Sequence, residues 1–122
     1  MANKLLIVMA NIDPDCGPGV GVPLRQAAVA ASMEYDVEVI FAGVTGRLAL
    51  PGAAERVEIG DKCGKNAYQM IREAHEEGVT FKVGTSVVEL YGEEFIAEVA
   101  EIVGGAYVIS EAMDDETVTF TY

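Results

Sequence analysis

Cysteine and histidine are scarce, with two and one respectively in 122 residues. Two cysteines are too few for a disulfide scaffold. A structural zinc site would need several carboxylates as well, and no metal-ligand spacing is present. Basic residues are few: 8 against 20 acidic ones, for a net charge of −12. That balance argues against holding a nucleic-acid backbone or an anionic membrane through bulk electrostatics. Long apolar runs are missing too, and nothing approaches the ~20 residues of a membrane span. The opening Met1–Ala10 has some signal-peptide character. Its apolar run is short, however, and breaks into Asn11, Asp13 and Pro14 without a small-residue cleavage pattern. The expectation is a cytoplasmic protein with reduced thiols, no metal and no cofactor, and with neither nucleic acid nor membrane as partner.

What the sequence does have is core-forming material. Apolar residues make up 51% and charged residues 23%, enough to exclude disorder and fit one domain over 1–122. Leu5–Ala10 is a continuous apolar run without alternation, as in a strand covered on both faces. Asn11–Gly21, rich in Gly, Pro and Asp, predicts a loop. Pro23 then suits the first turn of a helix running Leu24–Met33, apolar nearly all round and therefore expected to be buried between the sheet and either another element or another subunit. Val37–Ala42 predicts a second strand, and the glycine-punctuated stretch Gly43–Gly60 has no assigned element. Ala67, Met70, Ile71 and Ala74 fall at helical spacing, with Gly78 as the stop. Val79–Val83 predicts a strand and Glu93–Val103 a helix ended by Gly104-Gly105. Ala106–Ser110 and Thr117–Tyr122 predict two further strands around the acidic turn Asp114-Asp115-Glu116.

This order predicts an α/β three-layer sandwich with a mainly parallel sheet of five or six strands, flavodoxin- or Rossmann-like. Ligands bind such sheets beyond the carboxyl ends of the strands, here the loops after Ala10, Ala42 and Val83. Asn11, first residue of the first such loop, is a candidate pocket residue. Gly17-Pro-Gly-Val-Gly21 lies between strand and helix, where backbone N–H groups can cradle an anion. Its spacing is not that of a dinucleotide fingerprint, and the plainer expectation is a loop with angles only glycine tolerates. Gly60–Asn66 superficially resembles a phosphate loop, but has three residues between its glycines and Asn66 where Ser or Thr should stand.

Cys63 is the first candidate nucleophile. It sits at or just before the start of the Met70 helix, flanked by Lys62 and Lys65. Helix-end N–H groups and neighbouring cations favour thiolate over thiol. Cys16 is the second, on a loop at the same sheet edge but among Asp13 and Asp15, which disfavour a thiolate. The ordinary alternative for each is an unreactive loop cysteine. His75, among Glu73, Glu76 and Glu77, is expected to be solvated.

At Gly84-Thr-Ser-Val-Val-Glu-Leu-Tyr-Gly92, taken with the opening strand, the small-residue helix, Glu77–Val83 and the closing Val103–Ser110 segment, the chain resembles the DsrE/DsrF-like family of sulfur-relay and YchN-type proteins. The resemblance covers nearly the whole chain. It implies a three-layer α/β fold, trimers or hexamers (of this chain or with related subunits) and a sulfur donor or acceptor protein as partner. It also implies a cysteine directly after the strand Val79–Val83 that carries sulfur as a persulfide. That position is Gly84 here, which has no side chain to hold sulfur. The family's sulfurtransferase activity then either moves to Cys63 or Cys16, or gives way to ligand binding or assembly, with Thr85 and Ser86 left as polar liners of the pocket.

Overall fold

A row of apolar residues in β1 (Lys4–Met9) pairs in parallel on both sides, which is why it shows no alternation. The computed structural model describes residues 2–60 and 62–122, so Asp61 of the Gly60–Asn66 stretch lies outside the described residues. After β1 come α1 (Gly17–Ser32), β2 (Asp36–Phe41), α2 (Ala67–Glu76), β3 (Thr80–Gly84), α3 (Thr85–Tyr91), β4 (Val99–Val103), α4 (Gly105–Ala112) and β5 (Thr117–Thr121). Two 3-10 segments, Gly43–Ala49 and Ala54–Arg56, lie in the stretch between β2 and α2. The sheet is parallel throughout, in the order β4-β3-β2-β1-β5.

This order decides where the helices go. From β1 to β4 each crossover steps one place in the same direction, and right-handedness puts α1, α2 and α3 on one face. The last crossover returns across the whole sheet, so α4 lies on the opposite face. The three-helix face buries Ile7, Met9, Val39, Phe41, Phe81 and Val83 against Leu24, Ile71 and Val87. The α4 face buries Leu6, Ile40 and Val103, with Tyr107, Val108 and Ala112 half-buried upon them. Among the described residues no helix is long and apolar enough to cross a membrane.

The stretch from Thr85 to Ser110 departs from the sequence-based expectation. The helix expected over Glu93–Val103 is a loop followed by β4. Phe95 and Ile96 pack against the core, and the Ile96 N–H donates to the Ala49 carbonyl at 2.8 Å. The third helix is the preceding segment, α3. The strand expected over Ala106–Ser110 is α4. A parallel neighbour for β1 can be reached from the far edge only by a crossover, and this segment provides it. Gly104-Gly105 starts that helix instead of ending one, and Asp114–Glu116 turns from α4 into β5.

The loop expected at Gly17–Gly21 is the first turns of α1, and Pro23 is interior to it. None of Gly17, Gly19 and Gly21 takes a positive φ. Gly17 and Gly21 instead sit one turn apart where α1 meets Glu58 and Ile59. A methyl at Gly17 would lie 1.6 Å from the Glu58 carbonyl oxygen, so closeness of approach is what requires glycine there. Within the single chain α1 is not covered all round, since Val29 and Met33 are 58% and 61% exposed.

Candidate functional site

The loops leaving β3 and β4 diverge, one to α3 on the three-helix face and the other to α4 on the opposite face. Such a divergence opens a crevice at the carboxyl ends of adjacent strands. A cleft of about 360 Å³ lies there. Gly84, Thr85 and Ser86 form one wall, Val103, Gly104 and Gly105 another, with Val8 and Ile40 below and Val108 and Ile109 of α4 alongside. Its interior is mostly apolar, and the polar groups are those of the Thr85–Ser86 turn.

Side-chain hydrogen bonds hold this edge in register. Ser86 Oγ accepts from the Gly43 N–H at 3.0 Å, tying the start of α3 to the loop after β2. Thr45 is fully buried, donates from its hydroxyl to the Met9 carbonyl and accepts from the Ala42 N–H at 3.2 Å. The ends of β1, β2 and β3 are thereby linked. Thr45 was not singled out from sequence; its signal is a lone hydroxyl in a run of small and apolar residues.

Gly84, Thr85 and Ser86 thus stand together in one cleft. Asn11 stands apart, in a surface depression of about 380 Å³ shared with Asp13, Pro14, Arg47 and Tyr91. Its N–H donates to the Tyr122 carbonyl at 2.9 Å, and the neighbouring Asp15 pairs with Arg47 at 2.5 Å.

Neither thiol lines the cleft. Cys16 is exposed and is the residue preceding the first turn of α1, where its side chain makes no capping bond. Cys63 is half-buried in a turn closed by its own N–H donating to the Gly60 carbonyl at 3.1 Å. Cys63 is not at the helix start expected for it: α2 begins at Ala67, capped by Asn66, whose side chain accepts from the Gln69 N–H at 2.9 Å. Lys65 is held by Glu73, Nζ to Oε2 2.8 Å, and that bond raises the Lys65 pKa. Lys62 and His75 are exposed.

A second polar constellation lies under α4. Glu38 is 5% exposed, and Tyr107 Oη donates to its Oε1 at 2.7 Å. Lys82 Nζ lies 3.2 Å from the same carboxylate, 2.6 Å from the Tyr107 hydroxyl and 2.7 Å from Glu101. Lys4 Nζ bridges Glu38 at 3.1 Å and Glu111 at 3.0 Å. Burial opposes the charge on Glu38, but Tyr107, Lys4 and Lys82 outweigh it and hold its pKa below the ordinary carboxylate value. Burial likewise opposes the charge on Lys82, and its bonds to Glu101, Tyr107 and Glu38 outweigh it and raise its pKa. The sequence mark of this row is a charge inside each of two apolar strands, Glu38 in β2 and Lys82 in β3.

No family model matches the chain, and no curated protein matches it either. Among solved structures, the crystal structure of the YchN protein from E. coli aligns over 98% of this chain and 100% of its own, with a TM-score of 0.73 and 21% sequence identity. The fold is that of YchN. YchN is DsrE-like, so the three-layer α/β architecture implied by the resemblance is the one present. At 21% identity, what this chain shares with YchN is that architecture.

Proposed function

We propose that the chain is a small-ligand-binding member of the DsrE-like fold that works within an assembly and carries no sulfur in its cleft. The observation that carries this reading is the lining of the β3–β4 cleft. Gly84 occupies the place where the family resemblance puts a sulfur-carrying cysteine, and no nucleophilic thiol stands among its neighbours. The cleft offers an apolar interior and a short polar turn, the make-up of a binding pocket for a small organic molecule. The assembly part is supported by an apolar groove of about 490 Å³ between α1 and β5, where Val29, Met33, Tyr35, Val118 and Phe120 stand exposed.

The test of ligand binding is amide NMR of the chain titrated with 8-anilinonaphthalene-1-sulfonate, an apolar probe with a polar end. Shifts concentrated on Gly84–Ser86 and Gly104–Gly105 are expected. Shifts confined to the α1–β5 groove would overturn the cleft as the binding site.

A second reading keeps sulfur transfer and moves it to another thiol, supported by the exposure of Cys16 at the start of α1. In that chemistry a cysteine thiolate attacks the outer sulfur of a donor persulfide, R–S–SH. The S–S bond of the donor breaks, R–S⁻ leaves, and the protein keeps the sulfur as its own persulfide. Intact mass after incubation with a persulfide donor separates the readings. No adduct on wild type, together with an adduct on Gly84→Cys, supports the first. An adduct on wild type that disappears in Cys16→Ala or Cys63→Ala supports the second. A Cβ at Gly84 would meet Ser86 Oγ at 3.5 Å and the Phe41 carbonyl oxygen at 3.6 Å, ordinary contacts, so the cysteine variant is expected to fold.

A further inference from the structure

Helix α4 supplies Gly105, Val108 and Ile109 to the cleft, yet none of its eight residues is buried. Its apolar seat is small, resting on Leu6, Ile40 and Val103. Its polar seat is extensive. Tyr107 and Glu111, one turn apart and so on the same helix face, reach down to a row of charges contributed by β1, β2 and β3. The Lys82 ammonium also lies 4.4 Å from the centre of the Tyr107 ring.

The joint between β4 and α4 is Gly104-Gly105. A Cβ at either glycine would meet nothing within 4 Å, and neither takes a positive φ. Packing and backbone angle therefore do not require glycine at this joint. What the pair adds is conformational freedom. At its other end α4 runs into the turn Met113–Glu116, which is exposed.

We propose that α4 is a hinged cover over the cleft, pivoting at Gly104-Gly105 and latched shut by Tyr107 and Glu111 on the Lys4–Glu38–Lys82 row. Tyr107 is the positioning residue, because its hydroxyl joins both Lys82 and Glu38 to the helix. The inference deepens the ligand-binding reading and rests on it, as regulation of entry to that cleft. Apolar packing holds a helix in one place through many small contacts. A latch of a few directional bonds instead releases as a unit when one is lost, so α4 opens while the three-helix face stays closed.

The test needs no ligand. Amide hydrogen exchange by mass spectrometry is measured on wild type, Tyr107→Phe and Gly104→Ala/Gly105→Ala. In Tyr107→Phe, exchange across 105–112 is expected to rise about tenfold, the equivalent of one lost hydrogen-bonded anchor, while α1 and α2 keep their protection. Stiffening the joint in the double alanine variant is expected to slow exchange of the same segment. A second readout is the rate at which iodoacetamide modifies a cysteine placed on the fully buried cleft floor by Ile40→Cys. That rate is expected to rise with Tyr107→Phe. Unchanged exchange over α4 in Tyr107→Phe would overturn the proposal, as would a rise shared equally by α1 and α2, since either means that Tyr107 does not latch a separate element. Opening of α4 without any shift of Gly84–Ser86 by the sulfonate probe would sink the ligand-binding reading and leave the hinge standing.

Discussion

On the three-helix face, Phe41 and Phe81 stack with ring centroids 5.8 Å apart, and side chains from α1, α2, α3 and the first 3-10 segment close over them. On the α4 face the same strands present Lys4, Glu38 and Lys82, and a single helix covers them without burying one of its own residues. The topology produces this difference. Three crossovers share one face, and the fourth has the other to itself. The well-covered face can be apolar because water is excluded from it. The thinly covered face cannot rely on area alone, and its helix is placed by bonds that have direction. Both candidate motions and candidate binding therefore belong to the α4 side.

Neighbouring residues of β1 give the sharpest test of that contrast. Ile7 and Leu6 are both fully buried but point to opposite faces. Ile7→Ala is expected to cost about 4 kcal/mol, because the surrounding packing cannot collapse into the void. Leu6→Ala is expected to cost about 2 kcal/mol, since α4 can settle toward the sheet and fill part of the space. Denaturant unfolding of the two variants decides it, and equal losses would erase the distinction between the faces.

Glu38→Gln comes next. Leaving half-buried Lys4 and buried Lys82 around a neutral amide is expected to cost about 3 kcal/mol near neutral pH. The pH dependence carries a definite sign. The Glu38 pKa is lowered in the folded state from an ordinary 4.5, so its contribution is present above that value and is lost as pH falls through the lowered one. Lys4 and Lys82 are raised from 10.5, so their contributions are present below that value and are lost as pH rises beyond it. Tyr107, Glu101 and Glu111 complete the charged and titratable surroundings. The wild-type advantage over Glu38→Gln should therefore shrink on acidification and persist into mild alkali. An advantage that stayed constant in acid would mean that Glu38 acts through its shape and not through its charge.

The same contrast explains what could be read in the sequence. Several elements announced themselves. Leu5–Ala10 is apolar without alternation because β1 is covered on both faces, and Ala67–Ala74 has a clear helical period because α2 packs on the face with the larger core. The closing helix misled because α4 has so little buried surface that its period is weak, and a short apolar run such as Ala106–Ser110 suits strand and helix alike. Gly104-Gly105 resembled a helix stop for the same reason, although it opens the helix that walls the cleft. Of the site, Gly84, Thr85 and Ser86 were legible because they directly follow a recognisable strand. The wall from β4 and α4 was not, since it depends on a crossover that reverses direction. The Glu38–Lys82–Tyr107 network joins residues 69 and 25 positions apart, and no local pattern reports such a pairing.

A smaller effect is expected where a local rule acts alone. Asn66→Ala removes the bond to the Gln69 N–H that starts α2 and should cost about 1 kcal/mol. Asn66→Asp should restore most of it, because its side chain offers the same acceptor. This loss belongs to the three-helix side but involves no core side chain, so it should leave hydrogen exchange over α4 untouched. If α4 loosened as well, the two faces would not be independent.

The smallest effect on folding, and the most pointed on function, is expected from the exposed apolar residues. Met33 and Phe120, 61% and 40% exposed on the α1–β5 groove, and Ile109, 65% exposed on α4, make little contact within the chain. Met33→Ser and Ile109→Ser should each change folding stability by no more than about 0.5 kcal/mol when measured at high dilution. If the groove is covered in an assembly, Met33→Ser should nevertheless lower the mass seen by light scattering, and it should remove any dependence of the melting temperature on protein concentration. Ile109→Ser should leave mass unchanged if α4 must remain free to move, and should reduce it if α4 is itself an interface. A helix clamped between subunits cannot swing over its cleft, so a mass loss in Ile109→Ser would weigh against the hinge as well as mapping the contact.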